Sequence, residues 1–411
     1  MNERTMNMKS VYLDNNATTS VSQEAVNAMM PYLTDVWGNA SSVFYEIGQK
    51  AESALAKMRE SVAKNIGAKN ANEIYFTASG CEADNWAIKG TAFANKRKGN
   101  HIITTKIEHH AILGACEFLE KNGFDVTYLD TDQYGFVSPD DVEKAITDKT
   151  ILISVMTANN EIGTIMPIKE IAEVAHKHKI LFHTDAVQAI GHMEVNVSEL
   201  GVDMLSLSAH KFHGPKGVGV LYIKNGTRID NLIHGGGQER GKRAATENLA
   251  GIAGLATALD NACANLDKNT EHMRKMRDML IEGIRERIDH IKLNGPEAEG
   301  RLCNNVNFSY EFVEGESILM MLNRCGIAAS SGSACASGSL DPSHVLLAIG
   351  VPHEIAHGSI RFSVGEDTTE DDINYTLEQM PRIISQLRAM SPMYEAFEEG
   401  RIESFTEKYK N

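Results

Sequence analysis

Between residues 74 and 223 the chain alternates short apolar runs with amphipathic stretches, and this alternation constrains the fold more than any other feature. The runs Ile74–Thr77, Ile102–Thr105, Val126–Leu129, Ile151–Met156, Ile180–His183, Met204–Leu207 and Val218–Ile223 read as strands. Ala83–Ala94, Ala111–Lys121 and Ile168–His178 between them carry helical spacing. Several of the strands lack polar alternation, so both faces are expected to be buried. That combination predicts a mainly parallel sheet covered by helices, an α/β architecture. Upstream, Val11–Thr19 is a short strand entering a polar turn. Gln49–Ile66 is an amphipathic helix with Leu55, Met58, Val62 and Ile66 on one face and Gly67 as its stop.

The pattern changes after His234-Gly-Gly-Gly237. Asn248–Arg287 reads as largely helical, followed by a strand at Val306–Phe308, a helix at Glu316–Arg324, a strand at Ser359–Ser363 and a helix at Thr369–Met390. These form a smaller α+β domain. The expected division is a large α/β domain over 15–258 and a small domain over 1–14 and 259–411, the latter carrying a loop at about 328–340. Ser391–Asn411 is charged and expected to dock loosely.

A length of 411 residues allows two domains, and 42% apolar with 23% charged residues is a soluble, globular composition. No apolar run approaches the ~20 residues of a membrane span. Met1–Ser10 lacks the apolar core of a signal peptide, so a cytoplasmic setting and no membrane are expected. A net charge of −15 argues against a non-specific grip on nucleic acid. The six cysteines form no C-x-x-C pair and read as free thiols, with Cys116 and Cys263 as small core residues.

In an open α/β sheet, ligands bind beyond the carboxyl ends of the strands. The first such end is Ala78-Ser-Gly-Cys-Glu82, whose N–H groups suit a phosphate, although ordinary strand-to-helix turns use the same residues. Next comes Glu108-His109-His110, equally a ring-stacking histidine or a surface pair. Asn159-Asn160-Glu161 fits hydrogen bonding to a ligand and also fits a plain turn. Asp185 follows a buried strand, where a carboxylate needs a cationic partner such as a protonated pyridine, and Gln188 lies just beyond it. Ser208, His210 and Lys211 close the series. A lysine held there can act as an amine nucleophile toward an aldehyde; an exposed loop lysine is the bland alternative. Taken together, the group matches pyridoxal phosphate better than any member does alone. His176-x-His178 and His210-x-x-His213 also admit a metal reading, but no carboxylate stands at a ligand spacing.

Ala328-Ala-Ser-Ser-Gly-Ser-Ala-Cys-Ala-Ser-Gly-Ser339 surrounds Cys335 with small residues. The thiol is expected to be accessible on a mobile loop, against the alternative of a linker that happens to hold a cysteine.

Several segments resemble the hallmark sequences of cysteine desulfurases of the NifS/IscS type. These are Tyr12-Leu-Asp-Asn-Asn-Ala-Thr18, His183-Thr-Asp-Ala-Val-Gln188, Ser208-Ala-His-Lys-Phe-His-Gly-Pro-Lys-Gly217, Gln238-Glu-Arg-Gly-Lys-Arg243 with Thr246, Ser330-Ser-Gly-Ser-Ala-Cys335 and His357-Gly-Ser-Ile-Arg-Phe-Ser363. The resemblance runs from about residue 11 to 390.

It implies a fold-type I pyridoxal-5′-phosphate transferase, a homodimer that converts L-cysteine to L-alanine. Sulfur would be left as a persulfide and passed to an iron–sulfur scaffold or another acceptor protein. By the same resemblance Lys211 is the Schiff-base lysine, Cys335 the sulfur acceptor, and His109 the ring-stacking group that manages protons. Asp185 pairs with the pyridine nitrogen and Gln188 with the ring oxygen. Gly80, Cys81, Ser208 and His210 hold the phosphate, with Thr246 arriving from the other subunit. Asn160 touches cofactor or substrate, and Arg361 clamps the substrate carboxylate. No intrinsic metal is implied, although Cys335 could transiently share an iron–sulfur cluster with a scaffold. One departure stands out: the family usually has threonine where this chain has Cys81, and a thiol is a poor donor to phosphate.

Overall fold

The computed structural model describes residues 9–331 and 342–406; Cys335 lies outside the described residues. The strands, in chain order, are β1 (Val11–Tyr12), β2 (Ile74–Thr77), β3 (His101–Thr105), β4 (Asp125–Leu129), β5 (Thr150–Ser154), β6 (Leu181–Asp185), β7 (Met204–Ser208), β8 (Gly219–Ile223), β9 (Ile291–Leu293), β10 (Asn305–Tyr310), β11 (Ile327–Ala328) and β12 (Ser359–Ser363). β2 to β8 form one seven-stranded sheet in the order β2-β8-β7-β6-β5-β3-β4. β8 runs antiparallel to both its neighbours, and the other pairs are parallel. Every strand of this sheet except β8 therefore ends at the same edge, the mainly parallel sheet expected from the sequence.

The sheet is covered on both faces because its strands are apolar on both. Ile103, Ile153, Leu205 and Val220 pack with the helices Glu46–Asn65 and Leu249–Ala264. Their chain neighbours Ile102, Leu152, Met204 and Leu221 point the other way, against Trp86, Ile112 and Leu119. Alternation of the pleat thus divides one unbroken apolar run between two cores.

A second, antiparallel sheet has the order β12-β10-β9. The helices Leu266–Arg287 and Glu370–Arg388 cover it through Leu280, Ile284, Leu377 and Met380, which meet Phe308 and Phe362. β1 pairs in parallel with β11. The N-terminal strand therefore joins elements from the far end of the sequence.

Three local expectations need correction. Ala83–Ala94 is not one regular helix: Gly80–Asn85 and Thr91–Asn95 flank a wide π turn at Trp86–Gly90. Trp86 is fully buried there and its indole N–H donates to the Asp230 carbonyl at 2.9 Å. The described part of the tail is docked, not loose. Pro392–Glu398 is a helix, and the buried Glu311 carboxylate accepts from Ser404 Oγ and the Phe405 N–H, both at 3.0 Å. Cys263 is exposed in the last turn of its helix, while Cys116 is buried as expected. Among the described residues no helix is long and apolar enough to cross a membrane.

Candidate active site

The carboxyl ends of β2, β3, β5, β6 and β7 open onto a cavity of about 400 Å³. It is lined by Gly80, Cys81, His109, Asn160, Asp185, Gln188, Ser208, His210 and Lys211, all singled out in the sequence, and by Arg361 from β12. A larger, more open cleft of about 820 Å³ lies between Lys64, His192 and Cys263. It collects none of those groups, so size alone does not identify the site. Thr246 is exposed and does not line the 400 Å³ cavity.

The first strand end is tightly made. Ser79 caps the helix Gly80–Asn85 by accepting from the Glu82 N–H, leaving the first N–H groups of that helix without intrahelical partners. Gly80 must be glycine for close packing: a Cβ there would lie 2.9 Å from Val187 Cγ2 and 3.2 Å from Ser208 Cβ. The Cys81 thiol also faces the cavity. Burial, then the charge of Asp84, pushes its pKa up, so it is an uncharged thiol at neutral pH.

His109 caps the helix His110–Glu120, its Nδ1 accepting from the Ala111 N–H at 3.1 Å. The neutral ring therefore carries its proton on Nε2. Burial, followed by the nearby Lys211, His110 and His344, lowers its pKa to about 4. Beside it, Glu108 is fully buried. One oxygen accepts from Thr105 Oγ1 at 2.8 Å and the Met156 N–H at 3.0 Å, while the other has no hydrogen-bond partner among the described residues. Burial raises this carboxyl to about 8.

The two asparagines after β5 divide their work. Asn159 makes the turn, its Oδ1 accepting from the N–H groups of Glu161 and Ile162. Asn160 lines the cavity. Asp185, the last residue of β6, accepts from the Val187 N–H at 2.9 Å, and burial raises it to about 6. Behind it the buried Asp84 lies 3.8 Å from His183, whose ring is held between Ser154 and Ser206. Gln188 donates to the Asn16 carbonyl at 3.0 Å; its Oε1 is buried and unpartnered among the described residues.

Lys211 follows β7 in a single 3₁₀ turn, Ala209–Lys211. Its Nζ donates to the carbonyls of Asn16 at 2.6 Å and Ala17 at 2.8 Å. Arg361 is buried; it donates to Asp14 Oδ1 at 2.8 Å and to the Asn160 carbonyl at 3.2 Å. Sequence reasoning assigned no role to Asp14 or Asn16. The signal was present in Tyr12-Leu-Asp-Asn-Asn-Ala-Thr18, a polar run too long for a simple turn.

The aminotransferase class-V family model matches residues 11–376. A cysteine desulfurase IscS of Clostridium botulinum (strain Hall) is 58% identical over 96% of this chain and 99% of its own length. The chain belongs to the cysteine desulfurases of the aminotransferase class-V family. Among solved structures a NifS-like protein superposes with a TM-score of 0.87 at 38% identity, covering 92% of this chain and all of its own. SspA in complex with cysteine gives 0.77 at 35% identity over 88% of this chain and all of its own. The fold of this class-V family member is thus that of fold-type I enzymes, with a mostly parallel sheet and a smaller α+β part.

The histidine pairs weighed as metal ligands bind protein groups instead. His176 meets Asp203 at 3.0 Å, His178 meets Glu143 at 3.1 Å, and His213 meets the Ser20 carbonyl at 3.0 Å. Among the described residues no cluster of three or more His, Cys, Asp or Glu is arranged to hold a metal.

Proposed function

We propose that the chain is a pyridoxal-phosphate-dependent cysteine desulfurase. It converts L-cysteine to L-alanine and passes the sulfur as a persulfide to Cys335, for delivery to an iron–sulfur scaffold or another acceptor. The observation that carries this reading is the meeting of Lys211, Asp185 and Arg361 on one cavity at the strand ends.

The residues present fit the cofactor. Asp185 offers a buried carboxylate to a cationic ring nitrogen, the partner such a carboxylate needs. Gln188 lines the same space. Close packing at Gly80 brings main-chain N–H groups near Ser208, and His210 lines the same cavity, a set suited to a phosphate. His109, kept neutral, suits stacking on a flat ring.

Bound pyridoxal phosphate supplies an electron sink for negative charge at the substrate Cα. Arg361 binds the substrate carboxylate, and Asn160 borders the same space. Lys211, aimed by two main-chain carbonyls, anchors the cofactor and moves the proton at Cα. His109 lines the cavity wall and carries its proton on Nε2. The Cys335 thiolate attacks the substrate sulfur: an S–S bond forms, the C–S bond breaks, and its electron pair remains with carbon, which is then protonated. Cysteine plus the Cys335 thiol thus gives alanine plus the Cys335 persulfide. The cytoplasm, where free thiols persist, suits this chemistry.

A homodimer belongs to the same reading. Leu33, Trp37 and Phe44 are 60%, 68% and 97% exposed within one segment, apolar side chains that a second copy would cover. Thr246 would reach a neighbouring cavity in such a pair. The division into domains over 15–258 and over 1–14 with 259–411 is supported by separate cores on the two sheets, except that Val345, Leu346, Ile349 and Val351 of the second part pack into the core of the first. The test is to supply L-cysteine and a thiol reductant and assay both products. Equal amounts of alanine and sulfide are expected; release of neither would refute the function.

A further inference from the structure

The geometry points to Asp14 as an internal counter-ion that sets how tightly the site holds a substrate carboxylate. This rests on the reading of Arg361 as the carboxylate clamp. Arg361 is 1% exposed and lines the cavity. Nη2 donates to Asp14 Oδ1 at 2.8 Å, and Nη1 donates to the Asn160 carbonyl at 3.2 Å. Nε is buried without a hydrogen-bond partner among the described residues. A guanidinium has five N–H donors, so these two bonds leave donors for a ligand. Asp14 does not itself line the cavity and its side chain is 20% exposed. It therefore approaches the guanidinium from beside the cavity and does not occupy the space of the ligand.

Asp14 is fixed independently of Arg361. It bridges to Ser363, the Tyr12 hydroxyl donates to its carbonyl at 3.1 Å, and the Ala17 N–H donates to the same carbonyl at 3.0 Å. Its carboxylate has two separable effects on Arg361. As an acceptor it holds the guanidinium in position; as an anion it offsets the charge that attracts the substrate. A site with one compensated arginine holds the carboxylate of a small amino acid weakly enough to release the product.

The two effects part company in two variants. Asp14→Asn keeps an acceptor oxygen and removes the charge. Asp14→Ala removes both. L-Alanine is the probe, its dissociation constant measured by titration calorimetry on the holoenzyme. Asp14→Asn is expected to bind L-alanine roughly fivefold more tightly, the order expected when an anion beside a partly buried cation is neutralised. Asp14→Ala is expected to bind it more weakly than the parent, through lost positioning. Parental or weaker binding by Asp14→Asn overturns the proposal. Arg361→Gln is the control for the underlying reading: undiminished L-alanine affinity there means that Arg361 is not the clamp. Lost affinity in Arg361→Gln without tightening in Asp14→Asn rejects the role of Asp14 alone.

Discussion

Lys211 Nζ lies 2.6 Å from the main-chain carbonyl oxygen of Asn16. Asn16 is held from several sides. Its Nδ2 donates to the Asn160 carbonyl at 3.0 Å, its Oδ1 accepts from Asn304 at 2.8 Å, and its N–H donates to Ser363 Oγ at 2.9 Å. The same carbonyl also accepts from Gln188. A segment near the N-terminus thus sets the position of a lysine almost two hundred residues away, and ties it to the second sheet.

Lys211→Ala should leave the fold intact and cut turnover by about 10²–10⁴-fold or more, because one side chain serves as anchor and as base. Two main-chain carbonyls lose a donor, which costs stability only on the order of 1 kcal/mol. Alanine formation and thermal unfolding are measured together. Turnover near the parental rate would remove Lys211 from the mechanism.

Asp185→Asn should keep the bond from the Val187 N–H and lose the charge that favours a protonated ring nitrogen. The expected result is a drop in kcat far larger than any change in KM. Exchange of the Cα proton of L-alanine with deuterated solvent reports the step directly, and a normal exchange rate would contradict the assignment.

Cys81→Thr should tighten cofactor retention or leave it unchanged. The neutral thiol gives a weak hydrogen bond, whereas a hydroxyl to a charged phosphate adds at most about 1.5–3 kcal/mol. Equilibrium dialysis of pyridoxal phosphate decides it. Marked loss of affinity would mean that Cys81 serves packing and not the phosphate.

Glu108→Gln should change the pH dependence of stability. The folded carboxyl, raised to about 8 by burial, holds its proton where the unfolded one has lost it. From the ordinary carboxylate range up to about pH 8 the native state therefore binds more protons, and stability falls as pH rises. The parent should lose thermal stability between pH 6 and 8 relative to the variant. A constant difference between the two over that window would show that Glu108 does not titrate there.

What could be read from the sequence depended on how local the cause was. Asp185, Asn160 and Lys211 stand directly after apolar runs, so their place at strand ends followed from the runs. The split of Ile102 from Ile103, and of Met204 from Leu205, onto opposite cores followed from the pleat. Asp14 and Asn16 also stand in a polar run just after a short apolar one, but their roles could not be read from it, because their partners Arg361, Asn304 and Ser363 are brought to them only by the pairing of β1 with β11 and by the Asp14–Ser363 bridge. Glu108 and Glu311 look like surface charges in the sequence; only the packed structure reveals their burial. Asn159 and Asn160 are chemically identical neighbours, and only the direction of each side chain separates turn from site.

The central claim, that sulfur leaves L-cysteine for a protein thiol, is tested most directly by locating that sulfur. The protein is given one brief exposure to L-cysteine without reductant, digested, and its cysteine peptides are weighed. One added sulfur is expected on the Cys335 peptide, and Cys335→Ala should yield neither a labelled peptide nor alanine. Label on Cys325 or Cys303, or alanine and sulfide released at an unreduced rate by Cys335→Ala, would contradict the account.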